Sequence, residues 1–70
     1  MVESKKRYEK FLSEFKGAAQ EIESDGFDWE SAAMDIAMQA DIIYKEYLEA
    51  MGVSDVIGRL ADDIYAAGLK

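Results

Sequence analysis

Residues 28–52 read DWESAAMDIAMQADIIYKEYLEAMG. Trp29, Ala33, Ile36, Ala40, Ile43, Tyr47 and Ala50 recur at alternating steps of 4 and 3. That spacing returns each residue to one side of an α-helix, the side that packs on a partner helix. Asp28 is the expected N-cap. Phe27 before it is placed to staple onto Ala32. Glu30 suits the positive end of the helix dipole, and Gly52 stops the run. The stretch therefore predicts one helix over 29–51, with Tyr44 and Met51 flanking its apolar stripe. It also holds a second stripe, Met34, Met38 and Ile42. At about 100° per residue, Met38 lies about 180° from Trp29 and Tyr47. Asp35, Asp41, Lys45 and Glu49 border this second stripe. A helix apolar on two sides needs a cover for each of them.

The same logic extends in both directions. Upstream, Tyr8, Leu12, Phe15, Ala19 and Ile22 are spaced 4, 3, 4, 3, widened by Phe11 and Ala18. This predicts a long helix over 4–24, with Ser4 as N-cap and Asp25–Gly26 as its end. Downstream, Val53, Ile57, Leu60, Ile64 and Ala67 repeat the spacing, broadened by Val56 and Ala61. A short helix over 55–67 follows, capped by Ser54 and closed by Gly68–Leu69 in a Schellman pattern. Connections this short imply antiparallel neighbours. The expected fold is all-α: an antiparallel hairpin of two long helices with a short third helix across it. Trp29 would plug the open end of the hairpin. Gly17 and Gly58 fall inside predicted helices, where they mark either close helix approach or local weakness.

Composition agrees. Half of the 70 residues are hydrophobic and a third are charged. Pro is absent, and the plentiful residues are Ala, Glu, Lys, Leu and Met, a helical mixture. The length suits one domain, residues 1–70, with a small core that gains from a partner. There is no uninterrupted apolar run long enough for a signal sequence or a membrane span, so a soluble, cytoplasmic protein is expected.

The net charge is −7 and unevenly spread. Residues 1–16 carry five cations against three acids, whereas residues 17–70 carry twelve acids against Lys45, Arg59 and Lys70. An acidic body argues against direct binding to nucleic acids or anionic membranes.

No motif for catalysis emerges. Cys and His are both absent, which removes the usual metal ligands and the usual general base. No phosphate-cradling Gly loop and no nucleophile elbow occurs. Asp62 and Asp63 are adjacent, so on a helix they diverge and make a poor proton-sharing pair. The acidic stretch EIESDGFDWE, residues 21–30, places Glu21, Glu23, Asp25 and Gly26 where a calcium-binding EF-hand loop has its first ligands. It then puts Asp28 at the hydrophobic position and Ala32 at the bidentate Glu position. The expectation is a non-enzyme with no metal site and no cofactor.

Function is therefore expected to lie in contact with another protein, as a regulator, adaptor or inhibitor. The candidate surface is Met34, Met38 and Ile42 with Asp35, Asp41, Lys45, Glu46 and Glu49. Methionine is common at adaptable binding surfaces and equally common as a core filler. Three covers are consistent with the stripe: the third helix, a second copy of the chain, or a different protein. An alternative function is mimicry of nucleic acid, with Asp35, Asp41, Glu46 and Glu49 presenting carboxylates in place of phosphates, extended by Asp62 and Asp63. In size and charge the chain resembles small acidic helical inhibitors encoded by phages and mobile elements, anti-restriction and anti-CRISPR proteins among them. That resemblance rests on composition, not on a motif.

Overall fold

The computed structural model describes the backbone of residues 2–70 and the side chains of residues 4–70. The described chain is all-helical, with α1 Val2–Ser13, α2 Ala18–Ser24, α3 Trp29–Ala50 and α4 Val56–Gly68. It spans 37 × 20 × 15 Å, and α3 runs along most of the long dimension.

The predicted first helix over 4–24 is two helices. Its interior is broken at Glu14–Gly17, and the cause is local. The Ser13 hydroxyl donates back to the Lys10 carbonyl at 2.7 Å, a bond that competes with helix continuation. The backbone then tightens into three-residue bonds, Phe15 to Leu12 at 3.0 Å and Ala18 to Phe15 at 2.9 Å. Gly17 turns the chain with φ +79°, a left-handed conformation that disfavours any residue with a Cβ. No atom lies within 4 Å of where its Cβ would be, so Gly17 serves backbone conformation, not helix approach. The break does not scramble the interior. Tyr8 and Ala19 are buried, and Phe11, Leu12, Phe15, Ala18 and Ile22 pack against the core.

The stops at Gly26 and Gly52 are Schellman motifs. At the end of α2, Phe27 N–H donates to Ile22 O at 3.1 Å and Gly26 N–H to Glu23 O at 3.1 Å. At the end of α3, Val53 donates to Leu48 at 3.0 Å and Gly52 to Glu49 at 3.0 Å. Both glycines have positive φ. Asp28 caps α3 as expected, accepting from Ser31 N at 3.3 Å and Ser31 Oγ at 2.9 Å. Phe27 stays exposed, however, so it does not bury itself as a staple on Ala32.

Helix α4 corrects three expectations. Its N-cap is Asp55, not Ser54, with the carboxylate accepting from Gly58 N at 3.0 Å. A Cβ on Gly58 would run into that carboxylate, so the glycine makes room for the cap. Gly68 lies inside α4, does not adopt positive φ and forms no Schellman turn. Instead the Trp29 indole lies against its backbone where a Cβ would stand. The Trp29 Nε1 donates to the Tyr65 carbonyl at 3.0 Å, which fixes the ring. Trp29 is fully buried at the start of α3, with Phe15 tilted against it at a centroid separation of 6.2 Å.

The start of α3 thus meets the end of α4, so these two helices are antiparallel, and they form the most extensive packing in the molecule. The apolar line on α3 differs from the predicted one. Trp29, Ala33, Ala37, Ala40, Tyr44 and Leu48 are buried, while Ile43 and Ala50 are exposed. The buried line is spaced 4, 4, 3, 4, 4, close to the steps-of-four ridge along which packed helices interdigitate. Three alanines at its centre leave room for Leu60 and Ile64 of α4, both fully buried in the same cluster. Helix α1 is held at the other end of α3 by aromatic contacts. Tyr8 meets Tyr44 and Tyr47 at 5.3 and 5.4 Å, and Phe11 meets Tyr44 at 4.8 Å.

Candidate functional site

The second stripe of α3 is uncovered. Met34, Met38 and Ile42 are 43, 57 and 86 % exposed. Ile43, displaced from the core line, is 66 % exposed as well, but points about 140° away from Met38. Of the three covers the sequence leaves open, the last helix is therefore not the one. Helix α4 lies on the alanine side, where small side chains permit close approach, and it cannot be on both. Trp29 anchors that choice, because its indole requires the Gly68 backbone and the Tyr65 carbonyl of α4.

The charged candidates are all on α3. Asp35, Lys45, Glu46 and Glu49 are exposed, and Asp41 is half-buried. Asp35 and Asp41 stand three residues before and after Met38, about 60° to either side of it. Among the described residues the one ion pair is Arg59–Asp63 at 3.3 Å, on α4. Among the described residues the α3 carboxylates are thus not ion-paired. Lys45 is the single cation of a helix that also carries Glu30, Asp35, Asp41, Glu46 and Glu49.

Asp62 and Asp63 have separate fates. Asp62 is exposed. Asp63 accepts from the Tyr8 hydroxyl at 2.5 Å and from Arg59 Nε at 3.3 Å, which ties α1 to α4. Burial, then the hydrogen bond to Asp63, pushes the Tyr8 hydroxyl well above the usual tyrosine range. Burial raises Tyr44 as well. The sequence offered no signal for the Tyr8–Asp63 bond, since its partners are 55 residues apart. Beside it, an open groove of about 580 Å³ runs between α1 and α4, lined by Glu9, Leu12, Lys16, Asp63, Ala67 and Lys70 among others. Of the two acids on its wall, Asp63 is already hydrogen-bonded.

The acidic stretch at 21–30 does not form a calcium loop. Glu21 and Glu23 lie within α2, and Asp28 spends its carboxylate on the α3 cap. Among the described residues, no three Asp or Glu side chains converge as metal ligands. No described helix is long and apolar enough to cross a membrane. Comparison with protein-family models, curated proteins and solved structures finds no match to this chain.

Proposed function

We propose that this chain is a non-catalytic, cytoplasmic protein that acts by binding another protein, with the outer side of α3 as its contact surface. One observation carries the reading. The Met34/Met38/Ile42 stripe stays in solvent although the chain has a fourth helix that packs elsewhere. Contiguous apolar residues rimmed by charge are the pattern of an interaction patch. Two flexible methionines suit a surface that adapts to its partner. A 22-residue helix held by the core presents them on a rigid support. The test compares wild type with Met38→Asp, reading solution mass and co-purified proteins. Loss of a bound species from a variant with unchanged helical content supports the surface. A folded variant that keeps every partner and its mass sinks it.

A second reading, inhibition by nucleic-acid mimicry, draws on the carboxylates Asp35, Asp41, Glu46 and Glu49, which have no ion pair among the described residues, with exposed Asp62. Asp63 is less suited, being engaged by Tyr8 and Arg59. Mimicry predicts a target displaced by DNA or RNA, binding that weakens steeply with salt, and indifference to Met38→Asp. Binding unchanged between low and high salt would exclude it.

A further inference from the structure

We infer that the occupant of the α3 surface is a cationic amphipathic helix of a different protein, not a second copy of this chain. This rests on the outer side of α3 being a contact surface, and it names what fits there.

Two observations disfavour self-pairing. Each copy has a net charge of −7, and α3 itself holds five acids against Lys45. Laid antiparallel about Met38, two such helices would set Asp35 against Asp41 of the other copy, and laid parallel they would set each acid against its own equivalent; like charges across an interface are costly. The apolar centre is also short. Three side chains cannot supply the ~800 Å² per partner of a standard stable interface, so apolar burial would not offset that repulsion.

The same features specify the complementary surface. Met34, Met38 and Ile42 form one row at steps of four, the width of a single helix laid alongside. Asp35 and Asp41 stand diagonally about Met38, and Glu46 and Glu49, with Lys45 the one cation among them, continue the rim toward the end of α3. None of these four acids is ion-paired within the described residues. A partner helix with apolar residues on one face and Arg or Lys along both edges would bury the row and pair the rim. Charge at the rim steers association and sets specificity, while the short apolar row keeps affinity modest.

The probe is a synthetic 20-residue amphipathic peptide of about that length, with Leu at helical spacing along one face and Arg at its edges. A control peptide replaces each Arg by Glu. Fluorescence anisotropy of the labelled peptides is read against the folded full chain. Wild type should bind the Arg peptide and not the Glu peptide. Met38→Asp should weaken binding about tenfold, as should Asp35→Lys/Asp41→Lys. Glu21→Lys/Glu23→Lys on α2 changes net charge by the same amount and should leave binding within about twofold. Circular dichroism confirms that each variant is folded. The proposal is overturned if the α2 variant weakens binding as much as the α3 variant, because attraction is then only net charge. It is also overturned if light scattering shows a wild-type dimer that Met38→Asp dissociates. In that case the α3 surface stands and its occupant is a second copy. If Met38→Asp binds the Arg peptide as wild type does, both the occupant and the surface fall.

Discussion

Helix α3 carries two apolar stripes on different sides, a long one over 29–48 and a short one over 34–42, and they meet opposite fates. Trp29, Ala33, Ala37, Ala40, Tyr44 and Leu48 are buried, whereas Met34, Met38 and Ile42 are exposed. Hydrophobicity does not separate them, since alanine is less apolar than methionine or isoleucine. Shape does. A line of alanines between large end residues makes a trough that accepts Leu60 and Ile64, and close packing along it yields more contacts per side chain. The stripe of long side chains offers no such trough to α4.

Substitutions on the two sides should break or sharpen this contrast. The largest effect is expected at Trp29→Ala, which removes a fully buried ring that contacts Gly68 and bonds the Tyr65 carbonyl. Chemical denaturation should show a loss of about 3–5 kcal/mol. Ala37→Leu should fill the trough and cost about 2 kcal/mol, although it makes the helix more hydrophobic. If it stabilises instead, shape is not what selects the buried side.

Tyr8→Phe tests how firmly α1 is held against the buried side. Losing the hydroxyl bond to the Asp63 carboxylate should cost about 1.5 kcal/mol near neutral pH. The Tyr8 hydroxyl titrates higher in the folded chain than in the unfolded one. Its contribution is therefore complete below the ordinary tyrosine pKa of about 10 and falls as pH rises beyond it. Stability of wild type should converge on that of Tyr8→Phe at alkaline pH. Tyr44 shifts in the same direction, so a weaker alkaline slope should persist in the variant. A difference between the two proteins that stays constant with pH would contradict this assignment.

Gly17→Ala probes the bend that lets both halves of the first segment reach the core. At φ +79° an added Cβ should cost about 1 kcal/mol by denaturation. The smallest effect belongs to the exposed stripe: Met38→Gln should alter stability by less than about 0.5 kcal/mol. A larger loss would mean that the stripe is packed in solution.

Much of the architecture was legible because its signals act within one or two turns. The cap at Asp28 and the stops at Gly26 and Gly52 fall where the residues indicated. So do the inward residues of the first segment, because the spacing of Tyr8, Phe11, Phe15, Ala19 and Ile22 survives the bend. The bend itself was hidden, since a helical apolar period continues through Gly17 and masks its local conformation. The choice of Asp55 over Ser54 as cap was hidden too. Either residue can cap, and helix register decides between them. On α3 the 4, 3 spacing predicted Ile43 as core, while the observed 4, 4, 3, 4, 4 line buries Tyr44 and Leu48 instead.

The amino-acid sequence by itself determined that the chain is helical, where its main connections fall, and that α3 has two apolar sides with an acidic rim. These follow from backbone propensity, capping groups and charge, which depend on near neighbours. Tertiary structure alone decided which side of α3 is core, that Gly68 makes room for Trp29, and that Tyr8 reaches Asp63. Each depends on matching the volume or hydrogen bonding of groups dozens of residues apart. Such matching exists only once α1 and α4 have docked on α3.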